Sequence, residues 1–459
     1  MIPIIEFEKR SNEGPIVSSG DFDDLLMDTA MELVDKYDLN LDEDEIIADN
    51  ERADAVFEAA VEFLAEVGVW NRSTSRIIHW TEEEIREMAD DYKNNPRTLT
   101  IGAGAEQHNI TYRQAGDGKI PVILAGGGPL FNKDLIMPAV AAYTKEPYII
   151  GFTKCGCVAA VGDIPAQADN PSEIYVQLEE TKAQLEAARK VGRPGLFFGN
   201  INSTDPVSAA LCVRPGLYEP TQCTIGVHIA PEQKIDTGRF KSALICQELG
   251  VNPWASAMSM MGGLAGGPGG AAMCVTANLL AELSYSHSPW SSIVVTDMSG
   301  SAQNKRPLIS NSAAMRAAER HLSLVTGTPC TDSSEITCFE EGILSGVLSA
   351  VTCTASGAAI NWLTGTTPLS ARIQQAAMEA VAPMSREDVN KIVLSLLDLK
   401  AQLRKEHEGN KVPLPAQLFF STYDIPTLSP KPEYVAVSEN AVKLMREAGL
   451  PISNDLKFD

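Results

Sequence analysis

Apolar residues recur at three- and four-residue spacing through the first ninety positions, and after Pro96 they collect into short β-branched runs. The first pattern predicts helices. It is clearest between Asp21 and Gly68, where Val56, Phe57, Ala60, Val61, Phe63, Leu64 and Val67 fall on one helical face. Thr81 followed by Glu84 has the spacing of a capping box and predicts a helix running to about Asp91.

The second pattern predicts strands that end in glycine or small polar residues, each followed by a helical stretch. The strand candidates are Thr98–Ile101, Val122–Leu124, Tyr148–Phe152, Leu196–Phe198, Thr224–Ile229 and Ile293–Thr296. Helices are expected at 132–143, 171–191, 237–249, 269–286 and 310–326. Strand-then-helix units in series bury a parallel sheet under helices, and this many of them favour a closed ring. The expected fold is α/β, a (β/α)8 TIM-type barrel over 96–385, with an N-terminal helical region at 1–95 packed on it. A C-terminal helical extension covers 386–459, with helices at 386–405 and 432–448 around a Pro-rich connection.

Composition narrows the class. A formal charge of −23 over 459 residues opposes a nucleic-acid partner, which requires a basic face. No apolar run approaches the length that crosses a bilayer, and Met1 to Arg10 carries scattered charges, so a cytoplasmic protein is expected. Nine cysteines without a CxxC pair read as reduced thiols packed as small hydrophobes.

In a barrel of this kind chemistry sits where strands end, which nominates Asn200, Asn202, His228 and Asp297. The run from Gly262 to Gly270 is the most unusual local feature. It fits neither a P-loop nor a dinucleotide fingerprint, and a tight turn for close helix packing is the favoured reading, ahead of a backbone lining the mouth or a phosphate cradle. Cys155-Gly156-Cys157 lacks the further ligands of a closed zinc site, so no metal is assigned.

Several short segments resemble the monomethylamine:corrinoid methyltransferases: Gly192-Arg193-Pro194-Gly195, Lys234-Ile235-Asp236, Gly262 to Gly267, Thr354-Ala355-Ser356-Gly357 and Tyr423-Asp424. They occur in the family's order from about residue 50 onward. The resemblance implies a barrel that assembles as a homo-oligomer and works with a separate corrinoid (cobalamin-binding) protein, which supplies the cofactor. It also implies a site that this chain has altered. Counted without gaps, the family's pyrrolysine position falls on Gly199, and its two carboxylates fall on Gly226 and Ser256.

The expected pocket therefore has His228, Asp297 and Glu335 as catalytic candidates, with Gly199, Asn200, Asn202, Gly226, Ser256 and Cys330 lining the donor. An emptier pocket suits a methylated amine or related donor whose leaving group departs without covalent help. A quaternary ammonium qualifies, with Phe197, Phe198 or Trp254 offering cation–π contact. The alternative is a catalytically degenerate paralogue that binds or regulates the corrinoid protein.

Overall fold

The structure is a computed structural model that describes all residues except 1, 42–43, 129–131, 202–204, 330–335, 364–366, 413–414 and 459. One parallel sheet contains, in spatial order, Ile149–Cys155, Val122–Gly128, Ile360–Trp362, Val325–Pro329, Trp290–Thr296, Asn252–Met260 and Thr224–Gly226. The segment 197–201 bridges the two edges through parallel Gly151–Phe197 and Asn200–Thr224 pairs. The Phe152 N–H donates to the Phe197 carbonyl, and the Thr224 N–H to the Gly199 carbonyl, both at 2.8 Å. The sheet thus closes into a ring of eight positions in chain order, so that among the described residues each edge of the seven-stranded sheet is paired with the segment 197–201.

A helix follows each position: Ile136–Tyr143, Pro171–Lys190, Pro206–Cys212, Thr237–Leu249, Pro268–Ser286, Lys305–Leu322, Phe339–Ala355 and Pro368–Val381. Strand alternation divides the core in two. In Trp290–Thr296 the outward Ile293 and Val295 pack against helices, whereas Trp290 joins Leu124, Phe197, Val325, Ile360 and Trp362 inside the ring.

Thr98–Ile101 does not open the barrel, which begins at Val122. Leu99–Ile101 pairs antiparallel with His108–Ile110 in a hairpin whose Leu99, Ile101 and Ile110 pack onto the interior cluster at the strands' N-terminal ends. Its apolar run is real, but the hairpin plugs the floor. Three strands of the barrel escaped the sequence pattern. Asn252–Met260 places serines on both faces, and Val325–Pro329 and Ile360–Trp362 are too short for a period to show. The helix expected at 310–326 runs from Lys305 to Leu322, because Ser323 turns left-handed (φ 45°) and Val325 belongs to the next strand.

Extra layers cover two sides of the ring. Asn50–Val67 lies over Pro268–Ser286, in which every residue from Gly269 onward is buried, so that helix is apolar around most of its circumference. The expected Thr81–Glu84 capping box opens Glu82–Asn94. On the other side, Arg386–Glu406 and Pro432–Glu447 pack on Phe339–Ala355. Among the described residues no helix is long and apolar enough to cross a membrane.

Candidate active site

The fifth strand sends Ala255 and Ala257 outward into the helical layer, which turns Trp254, Ser256 and Met258 inward. On the neighbouring fourth strand Gly226 lies beside Trp254, and His228, two residues on, shares its inward face. The His228 ring meets Trp254 edge to face, with centroids 4.7 Å apart at 81°. Trp254 also stands edge-on to Trp362 at 4.7 Å and stacks on Trp290 at 6.0 Å. Three indoles and one imidazole therefore form a continuous aromatic wall.

Polar groups thread this wall. Trp254 Nε1 donates to Ser292 Oγ at 3.2 Å, and Ser292 Oγ donates to Ser256 Oγ at 2.7 Å. Burial pushes the His228 pKa down to about 3, with the Arg239 charge adding to the effect, so its imidazole is neutral at physiological pH. His228 Nδ1, Asn200 Oδ1 and Trp362 Nε1 are buried and have no hydrogen-bond partner among the described residues. A buried polar atom left unpaired costs free energy, and each of these three lacks a protein partner that would offset that cost.

Gly226 is not an empty position. A Cβ there would lie 2.6 Å from His228 Nε2, so the imidazole fills the volume that the resemblance assigned to a carboxylate. Gly199 is glycine for a backbone reason. Its φ is +65°, and a Cβ would lie 2.0 Å from the Thr153 carbonyl oxygen, so a side chain at this backbone position would run into the adjacent strand. The expectation that glycine at 199 hollows the barrel is corrected accordingly. Ser256, by contrast, is an inward residue of the wall, 5% exposed.

Asp297 stands apart from this constellation. It follows the sixth strand, five residues beyond Ser292, or about 16 Å further along at strand rise. Its carboxylate accepts from Ser299 N and Oγ, Ser301 N and Asn304 Nδ2, and these donors hold its pKa below the usual carboxylate range against the opposing effect of burial. It shapes its own loop. Asn202, Cys330 and Glu335 lie outside the described residues. Of the aromatic candidates, Phe197 and Trp254 face the interior, whereas Phe198 faces outward and stacks on Phe152 at 5.6 Å. Sequence reasoning missed Ser292, Trp290 and Trp362. Extending the recognised strand Ile293–Thr296 back to Trp290 and continuing its alternation would have exposed the first two.

A carboxyl supports the wall from behind. Glu282, fully buried on Pro268–Ser286, accepts the Ile229 N–H at 2.7 Å, one residue past His228. Burial holds it well above the usual carboxylate range, so it is protonated. Burial also raises the Cys155 thiol, and no group of three or more His, Cys, Asp or Glu among the described residues is placed to hold a metal.

A closed parallel ring whose inward residues converge on an aromatic and polar wall defines an enzyme scaffold of the (β/α)8 class. The model of the monomethylamine methyltransferase MtmB family matches residues 2–450, and the chain belongs to that family of methyltransferases. It is similar to monomethylamine methyltransferase MtmB1 of Methanosarcina acetivorans, at 26% identity with 97% of each chain covered. MtmB of Methanosarcina mazei gives the same identity and coverage. The crystal structure of the Methanosarcina barkeri monomethylamine methyltransferase superposes with a TM-score of 0.86 at 24% identity over 98% of both chains. The hydroxylamine MtmB complex gives the same values, and the agreement with both is one of fold.

Proposed function

We propose that this methyltransferase moves a methyl group from a methylated amine or related small donor to the cobalt of a separate corrinoid protein, without pyrrolysine. One observation carries the reading. His228 and Trp254 point into a closed ring yet are only partly buried, so the barrel keeps accessible space against a wall of neutral, aromatic and hydrogen-bonding groups. A fully packed interior would have buried both.

The wall suits a donor held by its shape and its charge. Indole faces attract an alkylated ammonium, and a neutral His228 adds no repulsion. A quaternary donor also leaves as a neutral amine, so its C–N bond breaks without a covalent helper. Asn200 and Trp362 would orient the molecule, while the barrel excludes water and presents the methyl group at the mouth. The corrinoid supplies the nucleophile. The mouth offers it an apolar edge, since Met258 and Met260 at the end of the fifth strand are 37% and 41% exposed.

The test mixes the protein with a reduced corrinoid protein and a panel of primary, secondary, tertiary and quaternary methylamines while the methyl-cobalt absorption is followed. At least one donor is expected to react, and Trp254→Ala to slow that reaction at least tenfold. Silence across the panel would overturn the methyl-donor reading. The second reading, a non-catalytic corrinoid-protein binder, draws on His228 filling the place assigned to a carboxylate. Capture of the corrinoid protein without turnover would support it.

A further inference from the structure

The ladder between the fourth and fifth strands ends at the donor wall. Its last register pair is Gly226 with Trp254, and above it the Val227 N–H donates to the Trp254 carbonyl at 3.1 Å. One more rung of a parallel ladder would join the Ser256 N–H to the Val227 carbonyl and the Ile229 N–H to the Ser256 carbonyl. Among the described residues neither bond is made.

Buried side chains of the helix Pro268–Ser286 take those places. Tyr285 Oη donates to the Val227 carbonyl, Glu282 accepts the Ile229 N–H at 2.7 Å, and the Ser256 N–H faces the same carboxyl. Further along the fifth strand, Asn278 Nδ2 donates to the Met258 carbonyl at 2.8 Å. Glu232, from the loop after the fourth strand, accepts the Met260 N–H at 2.7 Å. From Ser256 to Met260, each residue whose backbone would have faced the fourth strand therefore meets a side chain.

Direct rungs would hold the two strands about 4.8 Å apart. A carboxyl standing between them keeps them further apart, and the residues on the two banks of this seam are the wall itself, His228 on one and Trp254 and Ser256 on the other. His228 lies between Val227 and Ile229, whose backbone groups Tyr285 and Glu282 hold. Its Nδ1 lacks a partner among the described residues, which leaves the direction of the ring to its backbone and to Trp254. Asn278, Glu282 and Tyr285 are all fully buried, a cost that a plain ladder would avoid while satisfying the same backbone groups.

We propose that Glu282 is a positioning residue for the donor wall, a side-chain rung that holds the fourth and fifth strands apart at the height of His228 and Ser256. Tyr285 completes the rung. Without it the strands would close to ladder spacing, and the imidazole would lose its place against Trp254. The geometry stands by itself, whereas its consequence for turnover rests on the methyl-transfer reading.

NMR of the protein with isotope-labelled histidine reads the geometry, because the ring current of Trp254 shifts a neighbouring imidazole. The His228 signals are assigned by their loss in His228→Gln. Glu282→Met, similar in length but without an acceptor, is expected to move them, whereas Glu282→Gln keeps an acceptor and leaves them in place. Tyr285→Phe releases only the Val227 carbonyl and is expected to move them too, which decides the matter if Glu282→Met does not fold. Leu283→Ala, in the outer layer of the same helix, lowers stability and is expected to leave them unmoved. In the methyl-cobalt assay Glu282→Met is expected to lower kcat by roughly tenfold or more, with Glu282→Gln close to the parent. If the parent itself transfers no methyl group, the functional reading fails while the His228 signals still judge the positioning. Signals unmoved in Glu282→Met, or in Tyr285→Phe where the former does not fold, or moved equally by Leu283→Ala, would overturn the proposal.

Discussion

At Gly199 the missing side chain is a demand of the backbone. A Cβ would have to share space with the Thr153 carbonyl oxygen 2.0 Å away, and φ is +65°, where L side chains are strained. Gly199→Ala is therefore expected to destabilise the protein by about 1–3 kcal/mol, read as a lower denaturant midpoint at unchanged slope. A variant as stable as the parent would show that the third barrel position relaxes freely. His228 illustrates the opposite case, in which a residue singled out for its place at a strand end lies in the inner wall, edge to face with Trp254 of the next strand. The residue types were legible, but their neighbours were not, because Trp254, Ser256 and Ser292 meet only once adjacent strands are in register.

The helix Pro268–Ser286 links local pattern to site geometry. Its glycine-rich start brings helix and chain together, since a Cβ on Gly269 would lie 1.9 Å from the Leu39 carbonyl oxygen and one on Gly270 would lie 2.0 Å from that of Ala265. Close packing is thus what Gly269 and Gly270 do, as the sequence reading favoured. Further along, Glu282 holds the fourth strand through the Ile229 N–H. Its native pKa is raised well above the 4.5 of an ordinary glutamate. From pH 4.5 upward the folded protein therefore keeps a proton that the unfolded chain releases, and stability falls as pH rises. The slope contributed by this one group is at most about 1.4 kcal/mol per pH unit. Glu282→Gln keeps an acceptor for Ile229 and cannot ionise, so its stability is expected to depend less steeply on pH. Chemical denaturation at pH 5 and 8 measures this, and identical pH dependence in variant and parent would contradict a protonated Glu282.

For the whole molecule, the N-terminal helices complete the barrel's own core. Asn50–Val67 covers both Pro268–Ser286 and Lys305–Leu322, and its buried face carries the Val56-to-Val67 stripe. Deleting residues 1–67 would expose a helix that is apolar on nearly every side. The truncated chain is expected to be insoluble or to melt without a cooperative transition, as sedimentation and calorimetry would show. A soluble, cooperatively melting fragment would mean that the barrel supports itself.

Local chemistry determined which segments are helical, where capping starts them, that strand and helix alternate toward a parallel barrel, and which strand ends merit attention. These follow from interactions within a few residues, and their period is written along the chain. Only the tertiary structure decided that Leu99–Ile101 plugs the floor, that 197–201 closes the ring, and that His228 occupies the space above Gly226. Each of those depends on groups brought together from distant parts of the chain, and contacts across such separations leave no period to read.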